Sequence, residues 1–216
     1  MPAFILRYPT LTMNETCVYI VDDDPAVRDA LSILVRSLHF NPEQYDSADT
    51  FLTHYDPNQP GCLITDVCLP GIDGPTLQQY LIQAGDKRPI IVISGHGDIP
   101  LAVKMVRLGA IDFIEKPFRN HTVLNRIQEA VKLDRQQRNR IRDERDCLQH
   151  YQQLTPREKE VLEHLIEGTP NKVIAAKIAI SPRTVETHRA NILRKMQVDS
   201  VTCLTQKITR LRLSFN

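Results

Sequence analysis

Five cysteines occur in the 216 residues, Cys17, Cys62, Cys68, Cys147 and Cys203, and no two of them form a CxxC pair or stand at metal-like spacing from a histidine. No zinc-binding cysteine pattern is therefore present. Cys17, Cys62 and Cys68 lie in or beside apolar, strand-like runs, where cysteine packs as a small hydrophobe. An odd cysteine count without a secretory signal points to a reducing compartment, and a cytoplasmic location is expected. No apolar run reaches the ~18 residues that would span a bilayer, so no membrane partner is expected. The opening MPAFILRYPTLT holds too short an apolar stretch for a signal peptide. Met13 stands just before the first clear strand, so residues 1–12 read as an extension or an upstream start.

What is present is ordinary in bulk: 42% hydrophobic and 25% charged residues, as in a soluble globular protein, in a length that suits one large domain or two small ones. The net charge of +1 hides an asymmetry. Residues 1–120 carry 9 Lys+Arg against 15 Asp+Glu, whereas residues 154–216 carry 11 against 6. An acidic first part joined to a basic last part implies two jobs, the second with nucleic acid as a candidate partner.

The most informative stretch is CLITDVCLPGIDG, Cys62–Gly74. An apolar run ends at a single carboxylate, Asp66, a Pro-Gly loop follows, and Gly74-Pro75 opens a helix. A run of this kind between helical patterns reads as a buried parallel strand, and ligands of such sheets bind at the strands' carboxyl ends. Cys17–Val21 is a similar run, ending in Asp22, Asp23 and Asp24. Pro25 then starts an amphipathic pattern with Asp24 as its N-cap. Consecutive like charges repel, a cost that a bound cation offsets. Carboxylate oxygens with positions left for water and phosphate describe a Mg²⁺ site. Further strands are expected at Phe40–Tyr45, Pro89–Ile93 and Ile111–Ile114, with helices at Ala48–His54, Pro75–Ala84 and Ile99–Leu108. Five strands alternating with helices predict an α/β fold built on a doubly wound parallel sheet. Its strand ends collect Asp22, Asp23, Asp66, Ser94 and Lys116: a cation site, a nucleophilic carboxylate, a hydroxyl and an ammonium. That set suits phosphoryl transfer.

The motifs VDDDP (Val21–Pro25), TDVCLPGIDG (Thr65–Gly74), VISGHGD (Val92–Asp98) and DFIEKPF (Asp112–Phe118) resemble those of bacterial two-component receiver domains. The resemblance implies a flavodoxin-like five-stranded sheet of order 2-1-3-4-5. It makes Asp66 the phosphoacceptor from a sensor histidine kinase. Asp22, Asp23, Asp66 and the backbone carbonyl of Cys68 would ligate Mg²⁺. Ser94 and Lys116 would hold phosphoryl oxygens, Phe113 would be the switch aromatic, and Pro117 would follow a cis peptide bond. Leu69 stands where Met is usual and Cys68 where a larger side chain is common; neither change removes a functional group. His96 is read as lining its loop. An enzymatic alternative, an aspartyl-phosphate phosphatase of the haloacid dehalogenase type, needs an acid two residues after the nucleophile, where this chain has Cys68, so no enzyme is expected.

From Val123 to Tyr151 the chain is rich in Arg, Gln, Asp and Glu. Val123, Ile127 and Val131 suit a helix packed on the sheet, and beyond Leu133 a solvated helix or partly flexible linker is expected. Thr155-Pro156-Arg157-Glu158 is a capping-box helix start, and short helical patterns follow at Asn171–Ile178, from Pro182 to about Met196, and at Ser200–Leu211. That spacing predicts a helix-turn-helix. LTPREKEVLEHLIEG and NKVIAAKIAISPRTVETHRANILRKM resemble the LuxR/NarL-type DNA-binding domain, and with the receiver the whole resembles the FixJ-like branch of the NarL/FixJ response regulators. The implied organisation is an extension (1–16), a receiver (17–133), a charged helical linker (134–150) and a small all-α DNA-binding domain (151–216). The implied base-reading positions are Glu186, Thr187 and Ala190. Thr184, His188, Arg189, Asn191 and Lys195 would lie near the backbone or groove wall, Asn171 and Lys172 at phosphates, and Ser181 and Arg183 belong to the same DNA-binding set. The implied function is a transcription factor that binds double-stranded promoter DNA when phosphorylated. The implied partners are the kinase, a second copy of the chain upon phosphorylation, and RNA polymerase.

Overall fold

A computed structural model describes residues 16–95 and 99–213 of the chain. The expected extension before Thr16 and the loop residue His96 lie outside the described residues. Five parallel strands, β1 (Cys17–Val21), β2 (Asn41–Tyr45), β3 (Gly61–Asp66), β4 (Ile90–Ser94) and β5 (Asp112–Glu115), form one sheet in the order β2-β1-β3-β4-β5. Helices alternate with them: α1 (Pro25–Ser37), α2 (Ala48–His54), α3 (Gly74–Gln83), α4 (Ile99–Arg107) and α5 (Asn120–Gln152). This is the doubly wound sheet that the strand–helix alternation predicts, in the flavodoxin-like order that the family resemblance implies. Four further helices follow: α6 (Pro156–Ile166), α7 (Asn171–Lys177), α8 (Pro182–Lys195) and α9 (Val201–Leu213). The contacts divide the chain into two compact units that meet between Arg138 and Asn139.

In the first unit the central strands β1, β3 and β4 are buried on both faces because helices cover both. Every residue of β1 is buried, and its side chains alternate between two cores. Cys17, Tyr19 and Val21 join Phe51 of α2, Leu77 and Leu81 of α3 and Met105 of α4. Val18 and Ile20 join Leu31 and Val35 of α1 and Val123, Ile127 and Val131 of α5. The edge strand β2, NPEQY, is polar and carries Pro42, as suits a strand with one paired side.

The loop between β3 and α3 leaves room for no side chain at Gly74. A Cβ there would lie 2.6 Å from the Asp66 carbonyl oxygen, and the Gly74 N–H donates to Val67 O at 3.0 Å. The Gly74-Pro75 helix start thus fixes the backbone directly behind Asp66. Asp24 and Asp73 cap α1 and α3, accepting from the N–H groups of Ala26 and Thr76.

The connector is helical throughout, since α5 runs unbroken for 33 residues. Where its apolar face runs out, polar anchors take over. Asp134, 3% exposed, accepts the Gly61 N–H at 2.9 Å. The Arg138 guanidinium bonds Asp134 and the carbonyls of Pro57, Asn58 and Gln59 at 2.8 to 3.2 Å. Arg135 donates to Thr16 Oγ1 at 3.1 Å. Gly61 is itself irreplaceable, as a Cβ there would fall 1.6 Å from the Cys17 carbonyl oxygen.

In the second unit Cys147 at the end of α5 joins Leu154, Val161, Leu162 and Leu165, Ile174 and Ala175, Val185, Ile192 and Met196, and Leu204 and Ile208 in a single core. Thr155 and Glu158 form the expected capping box, and Gly168 (φ 75°) ends the first helix of the set. The turn from α7 to α8 passes through Ala179 at φ 54°, and the Ile180 N–H closes it on Ala175 O at 3.0 Å.

Replacing Asp134 by alanine strips the partner from a buried backbone N–H and from Arg138. The first unit should lose about 1–3 kcal/mol of stability, measured as a lower urea midpoint with an unchanged slope. Substitution of the exposed neighbour Arg140 should leave the midpoint within about 0.5 kcal/mol of the unaltered chain.

Candidate phosphoacceptor site and nucleic-acid interface

Strand register assembles the first site. Val21 pairs with Thr65 and Asp66 with Ile93, so the residue after β1 stands beside the last residue of β3. Ser94 pairs with Glu115, which brings Lys116 to the same edge, where its N–H donates to Ser94 O at 2.8 Å. The five residues picked from the strand ends therefore meet at the carboxyl edge of the sheet. Asp22 is 1% exposed and Asp66 7%, whereas Asp23 is exposed. Carboxylate oxygens of Asp22, Asp23 and Asp66 lie within 4.8 Å of one another.

The Lys116 ammonium binds both buried acids, Asp22 Oδ2 at 2.7 Å and Asp66 Oδ1 at 3.2 Å. Burial works against its charge, but the Asp22 bond and the Asp66 carboxylate outweigh that, and its pKa is raised. The Asp66 carboxyl is also raised, first by burial and then by the Asp22 charge, with the Lys116 ammonium opposing both. Asp22 Oδ1 accepts the Asp24 N–H at 3.0 Å, while Arg28 Nη1 donates to the Asp22 carbonyl at 2.6 Å. Arg28 is a support that sequence reasoning missed: an arginine one turn into α1 carries no distinguishing signal until the fold returns it to the β1 end.

Ser94 is buried, and its hydroxyl donates to Gly95 O at 3.2 Å. Phe113 on β5 is partly buried against the core shared by α2, α3 and α4. The Lys116–Pro117 peptide is cis, as the resemblance implies. Cys68 lies in the loop two residues beyond Asp66, with an exposed side chain. The donor set around Asp66 is all oxygen and carries more negative charge than Lys116 neutralises, which fits a hard divalent cation.

The second site is the surface of α7 and α8. Ser181 caps α8, its Oγ accepting the Thr184 N–H at 3.0 Å and bonding Thr184 Oγ1 at 2.8 Å. Val185 and Ile192 face the core. Arg183, Thr184, Glu186, Thr187, Arg189 and Ala190 are exposed, and His188 and Asn191 are half-buried. Thr187 Oγ1 donates to Arg183 O at 3.1 Å. On α7, Lys172 is exposed and Asn171 half-buried. Val173 beside them is 44% exposed, an apolar surface position that periodicity did not single out. Lys195 departs from its neighbours: its ammonium is bound to Glu158 Oε2 at 2.6 Å and to Gln153 O at 3.2 Å.

Two family models match the chain, the response regulator receiver domain over residues 18–128 and the luxR family of bacterial regulatory proteins over residues 152–208. The response regulator protein TodT of Pseudomonas putida is 44% identical over 195 residues, covering 90% of this chain and 86% of TodT. The transcriptional regulatory protein FixJ of Bradyrhizobium diazoefficiens is 38% identical over 193 residues, 89% of this chain and 94% of FixJ. Among solved structures, the response regulator StyR superposes with a TM-score of 0.81 at 39% identity, covering 91% of this chain and 99% of that one. The sheet, the helical second unit and these likenesses agree: the chain belongs to the FixJ-like transcriptional response regulators, in which a receiver domain is followed by a luxR-type helix-turn-helix.

Proposed function

We propose that Asp66 accepts a phosphoryl group from a phosphohistidine of a sensor histidine kinase, and that this modification controls promoter binding through α8. The observation that carries the reading is the Lys116 ammonium shared by two buried carboxylates at the sheet's carboxyl edge. An Asp66 carboxylate oxygen attacks the phosphorus, an O–P bond forms and the N–P bond to the kinase imidazole breaks. Lys116 then exchanges its 3.2 Å contact with the carboxylate for one with a phosphoryl oxygen. Ser94 turns its hydroxyl from Gly95 O to a second phosphoryl oxygen, and Phe113 follows into the space that Ser94 leaves. Asp22, Asp23, Asp66 and the carbonyl of Cys68 would hold Mg²⁺, which neutralises the charge that the phosphoryl group brings. The chain serves as acceptor and not as enzyme, because no acid stands two residues beyond Asp66. A cytoplasmic protein fits this role, and no described helix is long and apolar enough to cross a membrane.

The α4–β5–α5 face is the proposed homodimer surface. Leu101, Val103 and Val106 of α4 are 37–39% exposed there, and Arg126 of α5 pairs with Asp112 of β5 at 2.7 Å. A shift of Ser94 and Phe113 biases this two-state surface. In the second unit α8 enters the major groove. Arg183, Arg189 and Lys172 supply phosphate affinity and Glu186, Thr187 and Ala190 face base edges. RNA polymerase is the partner through which a bound regulator would alter transcription.

Three measurements test the reading. With acetyl phosphate and Mg²⁺, intact-mass spectrometry should show one added phosphoryl group on the unaltered chain and none on Asp66→Asn; undiminished labelling of that variant sinks the assignment. Sedimentation of the phosphorylated chain at micromolar concentration should show a dimer, with Val103→Arg remaining monomeric although still labelled. Unchanged mass of the unaltered chain on phosphorylation would remove the dimer from the mechanism.

In DNA titrations Lys172→Ala should weaken binding to all duplexes alike and reduce the salt slope by about 1. Glu186→Ala should instead relax preference at one base pair, by about 1–3 kcal/mol. A Glu186→Ala variant with unaltered base preference would remove that residue from the reading set.

A further inference from the structure

Two adjacent residues in the first turn of α6 hold both arms of the helix-turn-helix. The Arg157 guanidinium donates to the carbonyl of Ile178, the residue that caps α7, and pairs with Glu160. Glu158 reaches the other arm. Its Oε2 accepts the Thr155 N–H at 2.8 Å to complete the capping box, and the same oxygen takes the Lys195 ammonium at 2.6 Å. Lys195 is the last residue of α8, and its second bond, 3.2 Å, goes to Gln153 O, one residue beyond the end of α5. One ammonium thus links the end of the connector helix, the start of α6 and the end of α8.

Glu158 is 3% exposed, and removing the cation would leave its carboxylate buried and uncompensated. Burial raises its pKa, but the bonds from Lys195 and Thr155 prevail and hold it below the usual carboxylate range, so the Glu158 carboxylate is charged at neutral pH. For Lys195 to reach a DNA phosphate it would have to abandon this partner. Val185, Ile192 and Met196 are fully buried, and the Met196 carbonyl at the helix's end accepts a second ammonium, Lys207 Nζ, at 2.9 Å. The three side chains seat the helix on the core, and the ion pair at its far end adds a directional bond to that packing. Such a bond fine-tunes the orientation of the helix, and with it where Glu186, Thr187 and Ala190 point.

Resting on the transcription-factor reading above, we infer that Lys195 is a positioning residue for DNA recognition and not a DNA contact: it acts through Glu158 and the Gln153 carbonyl to set the orientation of α8. This reverses the role that the family resemblance implies for Lys195 and adds Glu158, which sequence reasoning had used only as a cap.

The test uses the full chain treated with acetyl phosphate and Mg²⁺, and a duplex that the unaltered chain selects from a random pool. Affinity is measured across a range of salt for Lys195→Met, Glu158→Gln and the double variant, with thermal melting of each. Each single variant should lose about tenfold in affinity and the double variant no more than either single, because all three break one link. The slope of log affinity against log salt should change by less than half of the ~0.9 that a lost phosphate contact removes. Lys195→Gln, which keeps an N–H donor for Glu158 without the positive charge, guards against misfolding and should retain more affinity than Lys195→Met. The inference is overturned if Glu158→Gln binds as well as or better than the unaltered chain, if the single losses add in the double, or if Lys195→Met and Lys195→Gln lose equal affinity with the full fall in slope. Failure of the unaltered chain to bind any duplex would instead overturn the transcription-factor reading, and the positioning role with it.

Discussion

Asp22 and Asp66 are both buried, and buried carboxylates a few ångströms apart repel strongly unless a cation sits between them. The Lys116 ammonium supplies that cation in the first unit, and much of the surrounding structure serves to hold it in place. Its backbone N–H is anchored to Ser94 O, so β4 and β5 must pair in register before the side chain can reach across. The negative charge at one sheet edge raises both pKa values, while burial raises that of Asp66 first of all and opposes the rise of Lys116. That charge is also what makes the edge receptive to a divalent cation. In the proposed function an arriving phosphoryl group competes for the same ammonium, and the chemistry and the signal would begin at one shared bond.

The second unit solves a different problem with the same kind of interaction. Its helices are short, α7 having seven residues and α6 eleven, and short helices draw their stability from packing and caps more than from propensity. The apolar core holds them together, and directional bonds from the first turn of α6 add to it: Arg157 to the end of α7 and Glu158 to the end of α8. The capping box is therefore more than a helix start. By burying Glu158 it creates an acceptor that a distant lysine can use.

Much was legible along the chain because its signals were local. Asp24, Asp73, Thr155 and Ser181 cap helices as their neighbours in sequence dictate, and each apolar run that ended in a polar residue became a strand of the sheet. The boundary of α7 moved by one residue and β3 begins at Gly61 rather than Cys62, because strand and helix ends follow hydrogen-bonding partners rather than composition. The connector was less legible. Apolar periodicity fades after Leu133, yet the helix continues because Asp134 and Arg138 anchor on carbonyls and an N–H of the segment from Pro57 to Gly61. No pattern within the connector announces partners more than seventy residues away.

Lys195 marks the boundary most sharply. Read along α8 it belongs with Arg183 and Arg189, a cation on a basic helix; folding instead places its ammonium 2.6 Å from a buried glutamate. Arg28 is similar, an unremarkable helix residue until the fold brings it to the Asp22 carbonyl. The sequence by itself determined the strands and helices, the two-part division of charge, and the carboxylates, hydroxyl and ammonium at the strand ends, because each follows from side-chain periodicity and short-range capping. Only the tertiary structure decided which charges meet. An ion pair depends on distance in space, and parallel register and helix packing set that distance between residues far apart in the chain.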